Sequence, residues 1–509
     1  MNNLNRISIL YLIFPFLLFL FGWVRLSIAI PISLIIIFTI YQLFKQSPVS
    51  NLQSPILDSQ FPIPLLLITF AWLSFSGLGG YAFQNWDHHW RNAVFHDLIN
   101  FDFPVYYSQP ESGPIRMLVY YVGYWLPSAI VGKFFGWSFA NFALFLWSWF
   151  GIILVTLQLS NFLKTSPIKS TLLLIFFSGL DSLGVLFFPQ EYPTLFPPIT
   201  HLEIWSGNLQ YSSFTTQLFW VFNQAIPAWL CIIVIASWWS SSHEVAYRDQ
   251  ATKQSPALLI FIWSLCFFFA PLASIGLLPY LLIEIFKDTN LKSFFKKLNY
   301  PILFSSVIIV LLSIFYFSSN TAAQTRTIQP IPFKEFIFFF LLEGGILWLL
   351  LAPSKYRDPR WIVTGLLLLI IPFIQIGSGR DFVMRASIAP LFYLMILTAE
   401  TIFNNNISRT LRITIYIVLV MGALTPLYEI NRSIYRTYEY YFVLDENQRI
   451  ITTPQPDTNL EPAGALEYEH PGALVADEIV SLQFMEGELS RNFIANVRQS
   501  LYYKYLARR

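Results

Sequence analysis

Ile7–Ser8–Ile9–Leu10–Tyr11–Leu12–Ile13–Phe14–Pro15–Phe16–Leu17–Leu18–Phe19–Leu20–Phe21–Gly22–Trp23–Val24 runs for eighteen residues without a charge. A hydrocarbon core about 30 Å thick needs about 20 predominantly apolar residues in a helix. This stretch therefore reads as a membrane span and sets the class of the whole chain. Arg6 precedes it and no small-residue cleavage site follows, so a first transmembrane helix fits better than a removed signal peptide. Further spans are expected near 27–44, 62–80, 114–134, 139–161, 170–188, 217–239, 256–286, 301–319, 332–352, 361–376, 383–403 and 410–427. The stretch 256–286 is too long for one crossing, and Pro271 and Pro279 should divide or kink it. The expected fold is an all-α polytopic membrane protein of about 12–14 transmembrane helices, multi-pass in a plasma or inner membrane.

Composition agrees. Of 509 residues, 55% are hydrophobic and 12% are charged, against about 25% charged in a soluble domain. That excludes an ordinary soluble enzyme and a disordered chain. The charge of +2, from 31 Lys+Arg and 29 Asp+Glu, leaves no footprint for nucleic acid. Cys231 and Cys266 lie in apolar runs and define neither a disulfide framework nor a zinc spacing.

Lys45, Lys133, the group Lys287/Lys292/Lys296/Lys297 and Lys355/Arg357/Arg360 mark candidate cytoplasmic loops. The loops at 81–113 and 190–216 are aromatic and poor in Lys/Arg, and read as external. Three expected spans lie between them, an odd number for two loops on one side. The transmembrane domain is expected over 1–427. Residues 428–509, with 12 acids against 8 bases and four prolines from Pro454 to Pro471, read as a small soluble segment. The periodic stretch Ile479–Leu506 is expected to end that segment as an amphipathic helix. A solvated tail and a lid over an active site are its two readings. There is no internal repeat.

The loop after the third span concentrates the polar chemistry: Asn85–Trp86–Asp87–His88–His89–Trp90–Arg91, then Phe95–His96–Asp97–Leu98 and Asp102–Phe103–Pro104. Asp87 and Arg91 stand one helical turn apart. Trp86, Trp90, Val94 and Leu98 form a stripe that suggests a short interfacial helix with its polar face toward water. One reading is an ordinary interfacial loop, with Asp87 satisfied by Arg91. The other is a carboxylate poised beside a cavity to accept a proton from a hydroxyl or to bind a cation such as a divalent metal. A metal site from His88, His89 and His96 fits poorly, because adjacent histidines do not share an i, i+4 face and no fourth ligand is evident. No cofactor motif is present.

The order Asp87, Phe95–His96–Asp97–Leu98, Asp102–Phe103–Pro104, Gly113–Pro114–Ile115–Arg116–Met117–Leu118–Val119–Tyr120–Tyr121 and Lys133–Phe134–Phe135–Gly136 resembles the first external loop of the GT-C superfamily of polyprenyl-phosphate-sugar glycosyltransferases. The resemblance lies mainly within residues 80–136. The chain departs from the family pattern in having His88 where many members carry a second acid, a lone Pro114, and a loop after the third hydrophobic span. The resemblance implies a GT-C-like fold and transfer of a sugar, with inversion, from a polyprenyl-phosphate donor to an envelope lipid, glycan or protein acceptor. It implies Asp87 as general base and His88 as a neighbouring substrate contact.

A donor phosphate requires a cation near the membrane. Gly377–Ser378–Gly379–Arg380–Asp381–Phe382–Val383–Met384–Arg385 lies between two apolar spans and supplies Arg380 and Arg385. Arginine at bilayer depth costs about 2.5–3.5 kcal/mol, so it is paired or lines a cavity. Pairing of Arg385 with Asp381 one turn away competes with phosphate binding. Glu203, Trp205 and Gln210 are candidate sugar contacts, since carboxylates, amides and indole rings match hydroxyls and ring faces. Gln217, Asn223 and Gln224, on the apolar span that follows, read as helix–helix hydrogen-bonding groups. Asp181 is an ionisable group in a hydrophobic segment, hence a functional candidate or the end of a short helix. A transporter or flippase using Asp181, Gln217 and Asn223 at the midplane is the rival function. A non-catalytic assembly protein is the third. The single acidic external loop favours the enzyme.

Overall fold

The computed structural model describes residues 3–46, 63–107, 115–188, 198, 200–207, 209–245, 256–286, 294, 298–320, 326–328, 330–376, 381–442, 481–485 and 491–509. Arg380, the central part of 428–509, residues 287–293 and 295–297, and residues 189–197 lie outside them.

Among the described residues, nine helical stretches are long and apolar enough to cross a membrane: Asn3–Trp23, Leu26–Lys45, Trp137–Leu163, Pro167–Phe187, Phe214–Ser237, Tyr300–Phe317, Phe333–Lys355, Asp381–Ile402 and Arg409–Tyr438. Four shorter apolar helices accompany them, at Ile63–Ser74, Ala257–Phe269, Pro271–Phe286 and Pro359–Phe373. The chain is thus a multi-pass, all-α membrane protein. In chain order the helices are α1 (Asn3–Trp23), α2 (Leu26–Gln46), α3 (Ile63–Ser74), α4 (Asp87–Asn100), α5 (Leu126–Phe135), α6 (Trp137–Leu163), α7 (Pro167–Phe176), α8 (Asp181–Phe187), α9 (Phe214–Val245), α10 (Pro256–Phe269) and α11 (Pro271–Phe286). Then follow α12 (Tyr300–Phe317), α13 (Phe333–Phe340), α14 (Ile346–Lys355), α15 (Pro359–Ile370), α16 (Asp381–Ala386), α17 (Ile388–Ile402), α18 (Arg409–Gly422) and α19 (Leu424–Phe442).

The windows of Phe214–Ser237 and Asp381–Ile402 are 94% and 100% buried, so these two stretches form the centre of the bundle. Peripheral helices expose apolar side chains such as Leu34, Leu67, Phe139 and Val420, as lipid-facing surfaces require. The expected division at Pro271 is present: α10 ends at Phe269 and α11 starts at Pro271, because proline lacks the N–H that would continue the ladder.

Three expectations are corrected. The apolar stretch 114–134 is not a span. It holds the strand Arg116–Leu118, a 3-10 turn at Val122–Trp125 and the ten-residue α5. At about 1.5 Å per residue α5 reaches only about half of the hydrocarbon core. Two spans then remain between the loops at 81–113 and 190–216, an even number that allows both loops on one side. The expected interfacial helix exists as α4, but its polar face does not meet water: His88, Arg91, Asn92 and Asp97 are buried with the apolar stripe. The expected C-terminal amphipathic helix is absent. Its described residues form a 3-10 turn (Leu482–Phe484), a strand (Ile494–Asn496) and a π-turn (Tyr502–Leu506).

That C-terminal stretch is tied to the body instead. Strands β1 (Tyr106–Tyr107), β2 (Arg116–Leu118) and β5 (Ile494–Asn496) make an antiparallel sheet in the order β1-β2-β5, with Met117 opposite Ala495. β3 (Arg326–Ile328) pairs with β4 (Ile374–Ile376). Leu482 N donates to Asp97 Oδ2 at 3.0 Å, and Tyr502 Oη donates to Trp23 O at 2.6 Å. Arg25 donates to the carbonyls of Lys504 and Ala507. Helix α19 runs through the expected 427/428 boundary, with Glu429, Arg432 and Ser433 buried.

Close helix approach depends on small residues. A Cβ on Gly276 of α11 would lie 2.0 Å from the carbonyl oxygen of Ala386, a backbone atom that cannot swing aside. Gly276→Ala is expected to destabilise the fold by about 1–3 kcal/mol through overpacking. An unchanged melting temperature of the detergent-purified variant would show that the two helices are not in that contact.

Candidate functional site

Central helix α9 bends where Val221 adopts φ −134° and ψ 36°, with Pro227 further along. A bend breaks the i→i−4 ladder and frees carbonyls. The Phe219 carbonyl is satisfied from another element: Asn85 Nδ2 donates to it at 2.8 Å and His88 Nε2 lies at 3.1 Å. Asn85 Oδ1 also accepts from Asp87 N at 3.1 Å, starting α4. Further back, Gln84 bridges Gly77 O (2.8 Å) and Asn92 Nδ2 (2.8 Å). The turn at Gly77, Gly79 and Gly80, with φ of 80°, 78° and 77°, returns the chain from α3 to this point. Asp87 is therefore held at the start of a pinned helix, beside the bend of the central span.

Arg91 Nη2 meets Asp87 Oδ2 at 2.6 Å; the Arg91 side chain is 4% exposed and that of Asp87 27%. The Arg91 guanidinium also lies over the Phe222 ring, 5.8 Å from its centre. Its Nε and Nη1 are buried without a partner among the described residues. The expected i, i+4 pair Asp381–Arg385 forms too, at 2.7 Å, and Arg385 Nε is likewise buried and unpartnered. Tyr120 joins the two pairs. Burial pushes its phenol up, the Arg385 and Arg91 guanidiniums pull it back, and the Asp381 and Asp87 carboxylates push it up again. It therefore lies within electrostatic reach of all four charges. Tyr121 is pushed up by burial and feels Arg385 and Asp381. Phe493, from the C-terminal stretch, packs between Trp90 (5.3 Å, near-parallel) and Tyr120 (4.6 Å).

The structure thus brings Asp87 and Arg385 into one charged neighbourhood. Sequence reasoning treated Arg91 only as a pairing partner and Tyr120 only as part of a motif. Arginine within an aromatic setting was the available signal for both. His88 is buried; burial, then Arg91, pushes its imidazole down to about 3, so it is neutral and holds the α9 bend. Burial likewise pushes His89 down to about 4. His96 contacts Asp97 at 3.2 Å. Among the described residues no group of three His, Cys, Asp or Glu is placed to hold a metal ion.

Glu203, Trp205 and Gln210 assemble elsewhere, in a second cluster with Asp181. Gln210 Nε2 donates to Glu203 Oε2 at 2.7 Å, and Ser213 N donates to Oε1 at 2.9 Å. Trp205 Nε1 donates to both Asp181 Oδ1 (3.0 Å) and Glu343 Oε1 (3.1 Å). Glu343, unnoticed in the sequence, sits in a π-turn at Leu341–Gly345, a feature frequent at functional sites. An acid within a hydrophobic segment was its available signal. Asp181 opens α8 after the break that separates it from α7, as the short-helix reading anticipated. Two carboxylate oxygens within about 3 Å of one nitrogen lie at most about 6 Å apart. Two full charges there would repel by about 3 kcal/mol at an effective dielectric of about 20.

Gln217 is satisfied within its own helix surroundings, donating to Ser212 O (2.8 Å) and accepting from Trp229 Nε1 (2.9 Å). The buried amides of Asn223 and Gln224 have no partner among the described residues. An apolar cavity of about 320 Å³ is lined by Leu173, Phe176, Phe177, Leu419, Ala423 and Leu427. A cavity of about 10 Å³ beside it includes Phe177, Ser178, Gly179 and Glu343 in its lining. Neither is lined by Asp87 or Arg385.

Glu203 is pushed up to about 8, by burial first and then by the Asp181 charge, against the hydrogen bonds from Thr216, Gln210 and Ser213. Unfolded, it loses its proton near pH 4.5. Stability present below that pH is therefore lost as pH rises toward 8, by up to about 1.4 kcal/mol per pH unit for one proton. Glu203→Gln should flatten the fall of melting temperature across this window; an unaltered pH profile would rule out a retained proton at Glu203. Comparison with known proteins finds no matching family model, no matching curated protein and no matching solved structure.

Proposed function

We propose that the chain is a GT-C-type membrane transferase that moves a sugar from a polyprenyl-phosphate donor to an envelope lipid, glycan or protein acceptor. Asp87 is the general base. The acceptor hydroxyl attacks the anomeric carbon, its proton passes to the Asp87 carboxylate, and the sugar–phosphate C–O bond breaks with its electron pair leaving on the lipid phosphate. Arg91 Nε and Nη1 and Arg385 Nε are the donors assigned to that phosphate. Guanidinium groups suit phosphate because their planar N–H array matches its oxygens. The observation that carries this reading is the partly exposed Asp87 carboxylate, paired with one buried guanidinium and within electrostatic reach of a second, both keeping N–H groups without a partner among the described residues. Tyr120 and Phe493 add an aromatic wall of the kind a sugar face packs on. His88, which holds the helix bend, and Glu203, Trp205 and Gln210, which belong to the second cluster, have no part in this reading.

One observation favours a second reading. The buried acids Asp181, Glu203 and Glu343 are the kind of group that marks an ion pathway in transporters. On that reading, transport is lost on Asp181→Asn and tolerates a change at Asp87.

Asp87→Asn should lower transfer of labelled sugar from a polyprenyl-phosphate donor by about 10²-fold or more, the range of a lost general base. Expression and membrane insertion should be unaffected. Retained turnover in correctly inserted protein rejects Asp87 as the base.

A further inference from the structure

We propose that the cleft between the α7–α8 break and the π-turn at Leu341–Gly345 is a proton-binding site, with the proton carried by the Asp181–Glu343 carboxyl pair on the indole of Trp205. This inference uses residues outside the proposed transferase site and holds or fails independently of that reading.

The pair is asymmetric. Asp181 accepts from Trp205 Nε1 on Oδ1 and from the hydroxyls of Thr425 (3.0 Å) and Ser178 (3.3 Å) on Oδ2. Three donors satisfy both of its oxygens. Among the described residues Glu343 accepts the shared indole N–H on Oε1 and lies against the Asp181 carboxyl. Its Oε2 is buried and without a partner among the described residues. One indole N–H is a single donor and cannot serve two charged groups so close together. Like charges at this spacing are relieved by one proton, and Glu343 Oε2 is the oxygen left to carry it.

That oxygen faces the space kept open by Gly179, where a Cβ would lie 2.4 Å from it. The cleft of about 10 Å³, lined also by Ser178 and Gly344, has room for about one water, the means of proton exchange. Both walls are irregular backbone: the α7–α8 break, where Leu180 N donates to Leu342 O at 2.8 Å, and the π-turn itself. Gly422 packs against the carbonyls of Ser178 and Gly179 from α18.

The titratable and charged groups on the surrounding elements are few. Glu203 lies on the 3-10 turn of Trp205 and interacts electrostatically with both acids. Tyr211 feels Glu343 and donates to Leu368 O. On α19, Glu429 engages Arg432 at 2.7 Å, and His201 stands against Trp220. Among the described residues none of Asp181, Glu203 and Glu343 makes an ion pair, so a proton, rather than a basic side chain, is the counter-charge.

The test is infrared difference spectroscopy of the full chain in phosphatidylcholine vesicles, titrated from acid to alkaline pH in H₂O and D₂O, in a Glu203→Gln parent that removes the other proton-holding carboxyl. The expected result is a protonated-carboxyl carbonyl band of the parent at neutral pH that shifts in D₂O and is lost at alkaline pH. It should be absent when Glu343→Gln is added and retained when Glu335→Gln, a change at an exposed site, is added. No such band in the parent, or an identical band after adding Glu343→Gln and Asp181→Asn, overturns the proposal. A band abolished by exchanging potassium for sodium at fixed pH also overturns it, by making the cleft a sodium site. Should Glu343→Gln fail to fold, the titration of the parent and its change on adding Asp181→Asn still decide.

Discussion

The Phe219 carbonyl is the point from which the candidate site hangs. In a bilayer a freed backbone carbonyl must find a donor within the protein. The bend at Val221 frees one at the centre of the bundle, and Asn85 and His88 supply the donors. The same two residues flank Asp87 closely in sequence, so satisfying the carbonyl fixes where α4 begins. Burial keeps His88 neutral, which allows it to serve as a structural group next to Arg91 without adding a second positive charge.

Charge inside the molecule is handled in two ways. Four arginines are matched by acids close in sequence or across a helix contact: Arg91 with Asp87, Arg385 with Asp381, Arg432 with Glu429, and Arg360 with Asp358 and Glu400. These pairs neutralise buried charge, and Arg91 and Arg385 also keep N–H groups that have no partner among the described residues, which is what an anion site needs. Asp181, Glu203 and Glu343 have hydroxyls, amides and one indole instead of cations. Electrostatics alone separates the two neighbourhoods into one suited to anions and one suited to cations or protons.

The C-terminal stretch contributes to the first neighbourhood through packing. β5 adds to β2, and this places Phe493 against Trp90 and Tyr120. Asp97, polar and read from the sequence as part of a water-facing helix, is spent on Leu482 N and the Tyr107 hydroxyl. A helix designed by its apolar stripe to lie at a surface becomes buried on both faces because a distant segment covers it.

What the sequence determined by itself is local. Apolar run length specified a many-helix membrane protein, Pro271 divided α10 from α11, and i, i+4 spacing paired Asp87 with Arg91 and Asp381 with Arg385. Each follows from helix geometry over a few residues. Tertiary structure decided the rest. Hydropathy reports that residues avoid water without saying whether they cross the bilayer, so 114–134 folded into a strand, a turn and a short helix. The bonds from Trp205 to Asp181 and Glu343 join residues 24 and 138 positions apart. No periodicity encodes such contacts; they exist only because helices that must bury their polar atoms out of lipid find one another's.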